Sequence, residues 1–259
     1  MERLVDRVPF LEKELFLLAR IVRRGDVCID VGAAGGVHLV VMAVRVGPHG
    51  RVIGVEPRPG SLRLLRWLVR VTGMRRRVSL VQVALADGVG EEPMRIPFVP
   101  TRAHLPGTSR HRHAVAAFAR LPARRVDVEV RTLDDLVDEL ALSRVDVLKC
   151  DVEGAELAVL AGGREVLRRH RPVVVAEADD VHQRRYDATA QDVVDAVTAD
   201  GYATFRYARG RLDPVSDARP DEDDYVFVPL ERFSPSTSRR TASRTSPTSS
   251  PRTTSARSS

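Results

Sequence analysis

The chain has 259 residues, 43% of them hydrophobic, with a formal net charge of +6 and two cysteines. That length and apolar content supply one sizeable core and one catalytic-size domain. Two cysteines without paired spacing exclude a disulfide framework and a thiolate zinc site, and fit a reducing, cytoplasmic setting. The charge is unevenly spread. Residues 234–259 hold five arginines, no acid and, proline aside, no apolar residue larger than alanine, which leaves the remainder near +1. Such a segment cannot bury enough surface to offset its ordering entropy, so 231–259 is read as a disordered tail. Its arginines can hold polyanions only weakly and in a salt-dependent way, and no specific nucleic-acid partner is expected.

At the N-terminus, MERLVDRVPFLEKELFLLARIVRRGD carries acids throughout, and no run of about 18 apolar residues occurs, so neither a signal peptide nor a membrane span is expected. Leu11, Leu15, Leu18 and Val22 instead form a helical stripe, an extension over 1–24 that packs ahead of the first strand. VCIDV, at 27–31, is a short apolar β-branched run, the pattern of a parallel strand buried on both faces. Gly32, Gly35 and Gly36 follow, where a chain without Cβ atoms can turn sharply and approach a ligand, and the helix expected over 37–46 points its N-terminus at that ligand. The second strand, RVIGV at 51–55, delivers Glu56 at its carboxyl end and Pro57 stops it. An acid there can accept hydrogen bonds from both hydroxyls of a ribose.

The glycine spacing selects among nucleosides. A dinucleotide fingerprint G-x-G-x-x-G starting at Gly32 would need glycine where Ala34 and Val37 stand, so the pyrophosphate cradle is missing. An adenosine without phosphates fits best, which points to S-adenosylmethionine. Asp30 either serves the cationic methionine end of that ligand or caps the turn.

Further along, SLRLLRWLVRV at 61–71 reads as a helix capped by Ser61 with Gly73 past its end. Residues 77–84 read as the third strand, and in the loop behind it Asp87 either lies near adenine or belongs to an ordinary Asp-Gly turn. Periodicity fails from 95 to 125, where Pro97, Pro100, Pro106 and Pro122 stand with His104, His111 and His113, and a long irregular insertion of this kind suggests a lid or recognition loop. Those histidines are read as exposed loop residues, with metal ligation or base catalysis as the alternative. Residues 126–131 alternate as a strand, Thr132 caps a helix with Asp135 three residues on, and 145–150 is a central strand. In a doubly wound sheet the carboxyl ends of strands face the ligand crevice. Asp151 and Glu153 leave the fourth strand there, and Glu177 leaves the fifth, at 172–176. Glu156 has equal claims as a helix-start acid and as a site residue. Lys149 either pairs with a carboxylate or is solvated at a strand end.

The blocks DVGAAGGVH, VIGVEPRPGSLRLL, VALADGVG, RTLDDLVDEL, VDVLKCDVEGAELAVLAGG and RPVVVAEA, in this order, resemble the FkbM family of S-adenosylmethionine-dependent methyltransferases over residues 25–178, with weaker agreement to 229. The resemblance implies an α/β, doubly wound, Rossmann-like class I methyltransferase domain over 25–230. Its sheet would have seven strands, the last hairpinned antiparallel into it. The activity implied is O-methylation of a hydroxyl on a small molecule, a sugar or a natural product. Cofactor contacts are then expected at Asp30, Gly32, Ala33, Gly36, Glu56, Pro57 and Asp87. A catalytic set is expected at Lys149, Asp151, Glu153 and Glu177; Asp151 or Glu153, raised in pKa by its neighbours and partial burial, is expected as the base, Asp151 first, with a loop histidine as the alternative, and no residue is assigned to a metal. The chain departs from the family at Ala34, where asparagine is usual, and at His38, where serine or threonine is. Two other readings stay open: a nicotinamide-dependent oxidoreductase, and a non-catalytic nucleic-acid-binding protein using the arginine tail.

Overall fold

The computed structural model describes residues 13–97, 123–208, 210–218 and 224–232. Leu11, the loop histidines His104, His111 and His113, and the tail beyond 232 lie outside the described residues.

Alternating strands and helices build one large sheet. Its strands are β1 (Val27–Val31), β2 (Arg51–Val55), β3 (Val78–Val81), β7 (Val147–Cys150), β8 (Val173–Glu177), β9 (Tyr202–Ala208), β10 (Arg211–Pro214) and β11 (Asp224–Pro229), in the order β10-β9-β11-β8-β7-β1-β2-β3. The five strands from β8 to β3 run parallel, and β11 is inserted antiparallel to both β8 and β9. This is the doubly wound order with an antiparallel hairpin that the resemblance implies. The expected count of seven is corrected to eight among the described residues, because after β9 the chain turns back at Gly210, whose φ is +78°, and pairs four more residues as β10 on the outer edge.

A second, three-stranded sheet joins β4 (Ala84–Leu85), β5 (Gly90–Pro97) and β6 (Ala123–Arg131) in the order β4-β6-β5. It also corrects the reading of 77–84 as one strand: only Val78–Val81 pair with β2, and the chain then leaves the large sheet to place Ala84 and Leu85 beside Val130 and Arg131.

Helices cover both faces. On one side lie α1 (Lys13–Ile21), α2 (Val37–Val46) and α3 (Pro59–Val71), whose Leu17, Leu39, Met42, Leu62 and Leu65 are buried against the Cys28 and Val52 face of the strands. On the other lie α4 (Leu133–Glu139), α5 (Glu156–Ala161), α6 (Arg164–His170) and α8 (Ala190–Ala199), packed on Ile29, Val31, Leu148 and Cys150. A short helix α7 (Asp180–Gln183) follows β8. The two-residue period of a strand sends adjacent residues to opposite faces, so Cys28 and Cys150, both buried free thiols, sit in different layers and cannot pair. α3 starts two residues earlier than expected, with Pro59 in its first turn instead of Ser61 as its cap. Thr132 does cap α4, accepting the Asp135 N–H at 3.0 Å. In α1 the buried stripe is Glu14, Leu17 and Leu18 with Val22 beyond it, and the charged member of that stripe bears on the site.

Candidate functional site

The carboxyl ends of the parallel strands β8, β7, β1 and β2 lie side by side along one edge of the sheet. After β1, the N–H groups of Gly32 and Ala33 donate to the Val55 carbonyl at 3.0 and 3.1 Å, which pins the turn to the end of β2. Gly32 has φ +81°, and a Cβ there would stand 1.9 Å from the Asp151 carbonyl oxygen. Crowding by the end of β7 is by itself enough to require glycine here. Gly36, at φ +82°, likewise faces protein: a Cβ would meet the Leu65 and Leu68 methyls of α3 at 2.7 and 2.8 Å. Ala34 lies between them in the left-handed region at φ +40°. Asparagine tolerates that conformation better than alanine, which gives the usual family residue a backbone reason as well as a polar one.

Glu56 closes this loop. Its side chain is 1% exposed. Oε2 accepts the Ala34 N–H at 2.8 Å, and Oε1 accepts the Arg58 N–H at 2.9 Å and Nε at 2.8 Å. Arg58 Nη2 adds a bond to Oε2 at 3.1 Å. Arg58, which carried no role in the sequence reading, thus lies across the carboxylate expected to grip ribose. Pro57 is half-buried beside it, and Asp87 sits in an exposed bend between β4 and β5.

Beneath the loop lies a buried charge cluster. β1 and β7 pair in register so that Asp30 faces Lys149, and both are fully buried. Lys149 Nζ donates to Asp151 Oδ2 at 2.9 Å. On the helices above, His38 Nε2 is 3.0 Å from Glu14 Oε2. Burial alone would push the Lys149 ammonium down, but Asp151, Glu14 and Asp30 outweigh it and hold it above the ordinary lysine range. Asp30, with both oxygens lacking a hydrogen bond among the described residues, is raised by burial. Burial also works to raise Asp151, yet Lys149 and a hydrogen bond with Glu177 carry it below the usual carboxylate range. This reverses the expectation that burial makes Asp151 a base of raised pKa. Glu177 takes the opposite course: burial and the Asp151 charge push it well above its ordinary value, so it keeps the proton of the pair.

A pH dependence follows. Because the native pKa of Glu177 is raised, the unfolded chain releases this proton first as pH climbs past about 4.5, and the folded state loses stability from there upward. Glu177→Gln can donate to Asp151 without holding that proton. Thermal denaturation is expected to show the variant more stable than the wild type at pH 8, with the difference vanishing near pH 4. Equal melting temperatures at both pH values would show that the two carboxyls are not coupled.

Other predicted residues are placed differently. Glu153 is exposed, at φ +57°, at the tip of the loop after β7. Glu156 is buried, and its carboxylate accepts the Val152 and Gly154 N–H groups at 2.8 and 2.9 Å, so its work is to shape that loop. Asp179 and His182, after β8, were missed by sequence reading. Asp179 accepts the His182 backbone N–H at 3.0 Å and also contacts ring Nδ1. Their only advance signal was an Asp-x-x-His spacing behind a predicted strand. Glu14, too, was hidden inside a leucine stripe.

A family profile described as the methyltransferase FkbM domain matches residues 30–204. The chain belongs to the FkbM methyltransferase family. Its relatives include methyltransferase sdnD of Sordaria araneosa, 30% identical over 52% of this chain and 59% of that protein. The 2-O-methyltransferase NoeI of Sinorhizobium fredii is 28% identical over 63% of this chain and 68% of NoeI. Among solved structures, a methyltransferase FkbM from Methylobacillus flagellatus is 19% identical with a TM-score of 0.48, covering 83% of this chain and 50% of that one. S-adenosylmethionine is the methyl donor of this family. The residues present fit it: an adenosine without phosphates needs the buried acid at the end of β2 and a single tight turn, and Gly36 at the start of α2 makes no side-chain cap. Among the described residues no helix is long and apolar enough to cross a membrane.

Proposed function

We propose that this FkbM-family chain is an S-adenosylmethionine-dependent O-methyltransferase acting on a hydroxyl of a small molecule, a sugar or a secondary metabolite. The catalytic unit is 25–230, with α1 packed against it. The observation that carries the cofactor side is Glu56, a buried carboxylate hydrogen-bonded to the turn after β1 through Ala34. O-methylation is supported by the names of NoeI and of a 31-O-demethyl-FK506 methyltransferase FkbM from Streptomyces tacrolimicus, 29% identical over 62% of this chain and 68% of that protein.

In this reading Glu56 accepts from the ribose hydroxyls, and Arg58 must yield two of its hydrogen bonds when they arrive. Cofactor affinity is then a difference between two sets of bonds to one carboxylate. Transfer is an in-line displacement: the acceptor oxygen bonds the methyl carbon, the carbon–sulfur bond breaks, and the hydroxyl proton goes to a base. Lys149 keeps Asp151 ionised but weakly basic, so Asp151 orients the acceptor. His182 is the base, since Asp179 at Nδ1 sets the tautomer in which Nε2 accepts. A carboxylate bonded to two hydroxyls contributes charge-assisted hydrogen bonds, so Glu56→Gln is expected to weaken S-adenosylhomocysteine binding roughly 10- to 100-fold in calorimetry. Wild-type protein that binds NAD and not S-adenosylhomocysteine would overturn the reading in favour of an oxidoreductase.

A further inference from the structure

The outward face of α3 carries a pattern the methyl-transfer reading does not use. Three parallel stripes run along the helix, each with i, i+3, i+7 spacing and each displaced by one residue. Leu62, Leu65 and Val69 are buried against the sheet. Arg63, Arg66 and Arg70 form the next stripe and are exposed. Leu64, Trp67 and Val71 form the third, 49%, 56% and 56% exposed. At about 100° per residue the third stripe points nearly away from the core, with the arginines along its flank. An exposed leucine alone is ordinary, but a contiguous apolar stripe rimmed by one sign of charge marks a contact surface.

The charge is extreme. From residue 57 to residue 86 the chain holds seven arginines and no acid. Arg75 and Arg76, just past the helix, are also exposed. Among the described residues, none of these five exposed arginines makes a salt bridge. α3 also flanks β3, the edge strand of the large sheet, so this face forms a side of the molecule.

We propose that α3 docks on an anionic lipid surface, with Leu64, Trp67 and Val71 entering the boundary between headgroups and acyl chains and the arginines meeting lipid phosphates. The chemistry separates this occupant from the others. A second copy of the chain would bring two arginine stripes together, which like-charge repulsion opposes. Single-stranded nucleic acid would satisfy the arginines and stack on Trp67, but it offers nothing apolar to Leu64 and Val71, whereas a bilayer accepts aliphatic and indole side chains at one depth. Long arginine side chains reach from such a helix to the headgroups while their stems stay in apolar surroundings.

Trp67 is the only tryptophan in the chain, so its fluorescence reports this face alone. Titrating the full chain with phosphatidylcholine vesicles containing phosphatidylglycerol is expected to shift the emission to the blue and to protect Trp67 from acrylamide quenching. Pure phosphatidylcholine should leave both unchanged. Each arginine near an anionic surface adds roughly five-fold in affinity, so R63Q/R66Q/R70Q is expected to weaken vesicle binding on the order of a hundred-fold, with unchanged circular dichroism. L64S/V71S keeps the charge and the reporter, and should bind with a smaller blue shift. The arginine tail could carry the protein to vesicles without α3, so co-sedimentation with an unmoved Trp67 spectrum overturns the proposal. So does a blue shift produced by polyuridylate and not by vesicles, or one that appears on raising protein concentration without lipid.

Discussion

Lys149→Met is expected to remove about 3–5 kcal/mol of folding stability at pH 7, the loss typical of deleting one partner from a buried ionic cluster. The ammonium is fully buried and bonded to Asp151, with Asp30 and Glu14 also acting on it, so methionine fills the volume but leaves those carboxylates facing one another in a medium of low polarity. Without the ammonium that holds them down their pKa values rise, the folded state binds more protons than the unfolded chain, and the variant should regain stability as pH falls from 7 toward 4. Lys149→Met/Asp30→Asn, which removes one of the stranded charges, should recover part of the loss. Urea denaturation of the three proteins across that pH range measures both effects. A Lys149→Met protein within 1 kcal/mol of wild type at pH 7, roughly the median for a surface pair, would mean that the cluster is solvated and not buried.

Gly32→Ala should be as damaging for a steric reason. The added methyl would sit 1.9 Å from the Asp151 carbonyl oxygen, a backbone atom, at a residue whose φ of +81° alanine already resists. The turn after β1 and the end of β7 must separate, and with them the surroundings of Glu56 and Asp151. A loss of about 4 kcal/mol or more is expected, the range reached only when backbone strain and overpacking combine. S-adenosylhomocysteine binding should weaken along with stability, because the same movement breaks the anchors to the Val55 carbonyl. A loss below 1 kcal/mol would show that the two strand ends are not in contact.

Much of the architecture was legible because it rests on patterns that read along the chain. Apolar β-branched runs at 27–31 and 51–55, a glycine turn between strand and helix, and an acid at a strand end are local facts with local causes. The antiparallel insertion of β11 came from the family resemblance. The strand β10 and the small sheet were not foreseen, since RLDP and AL are too short to show any period. Within the site, Glu56 and its approach to the turn were legible from spacing. The states of the acids were not. Asp151, Glu177 and Asp30 are the same kind of group in the sequence, yet one is held below its ordinary value and two are raised from theirs.

By itself, then, the order of residues determined a doubly wound sheet, a glycine turn closed by Glu56, and a row of acids at strand ends, because each depends on neighbours a few positions away. Only the tertiary structure decided which glycine answers to a neighbouring strand, which carboxyl keeps its proton, and that Arg58, Glu14 and His38 belong to the same neighbourhood. Those outcomes depend on distances between segments 20 to more than 100 residues apart in the chain, and on the loss of water around charges that burial brings together.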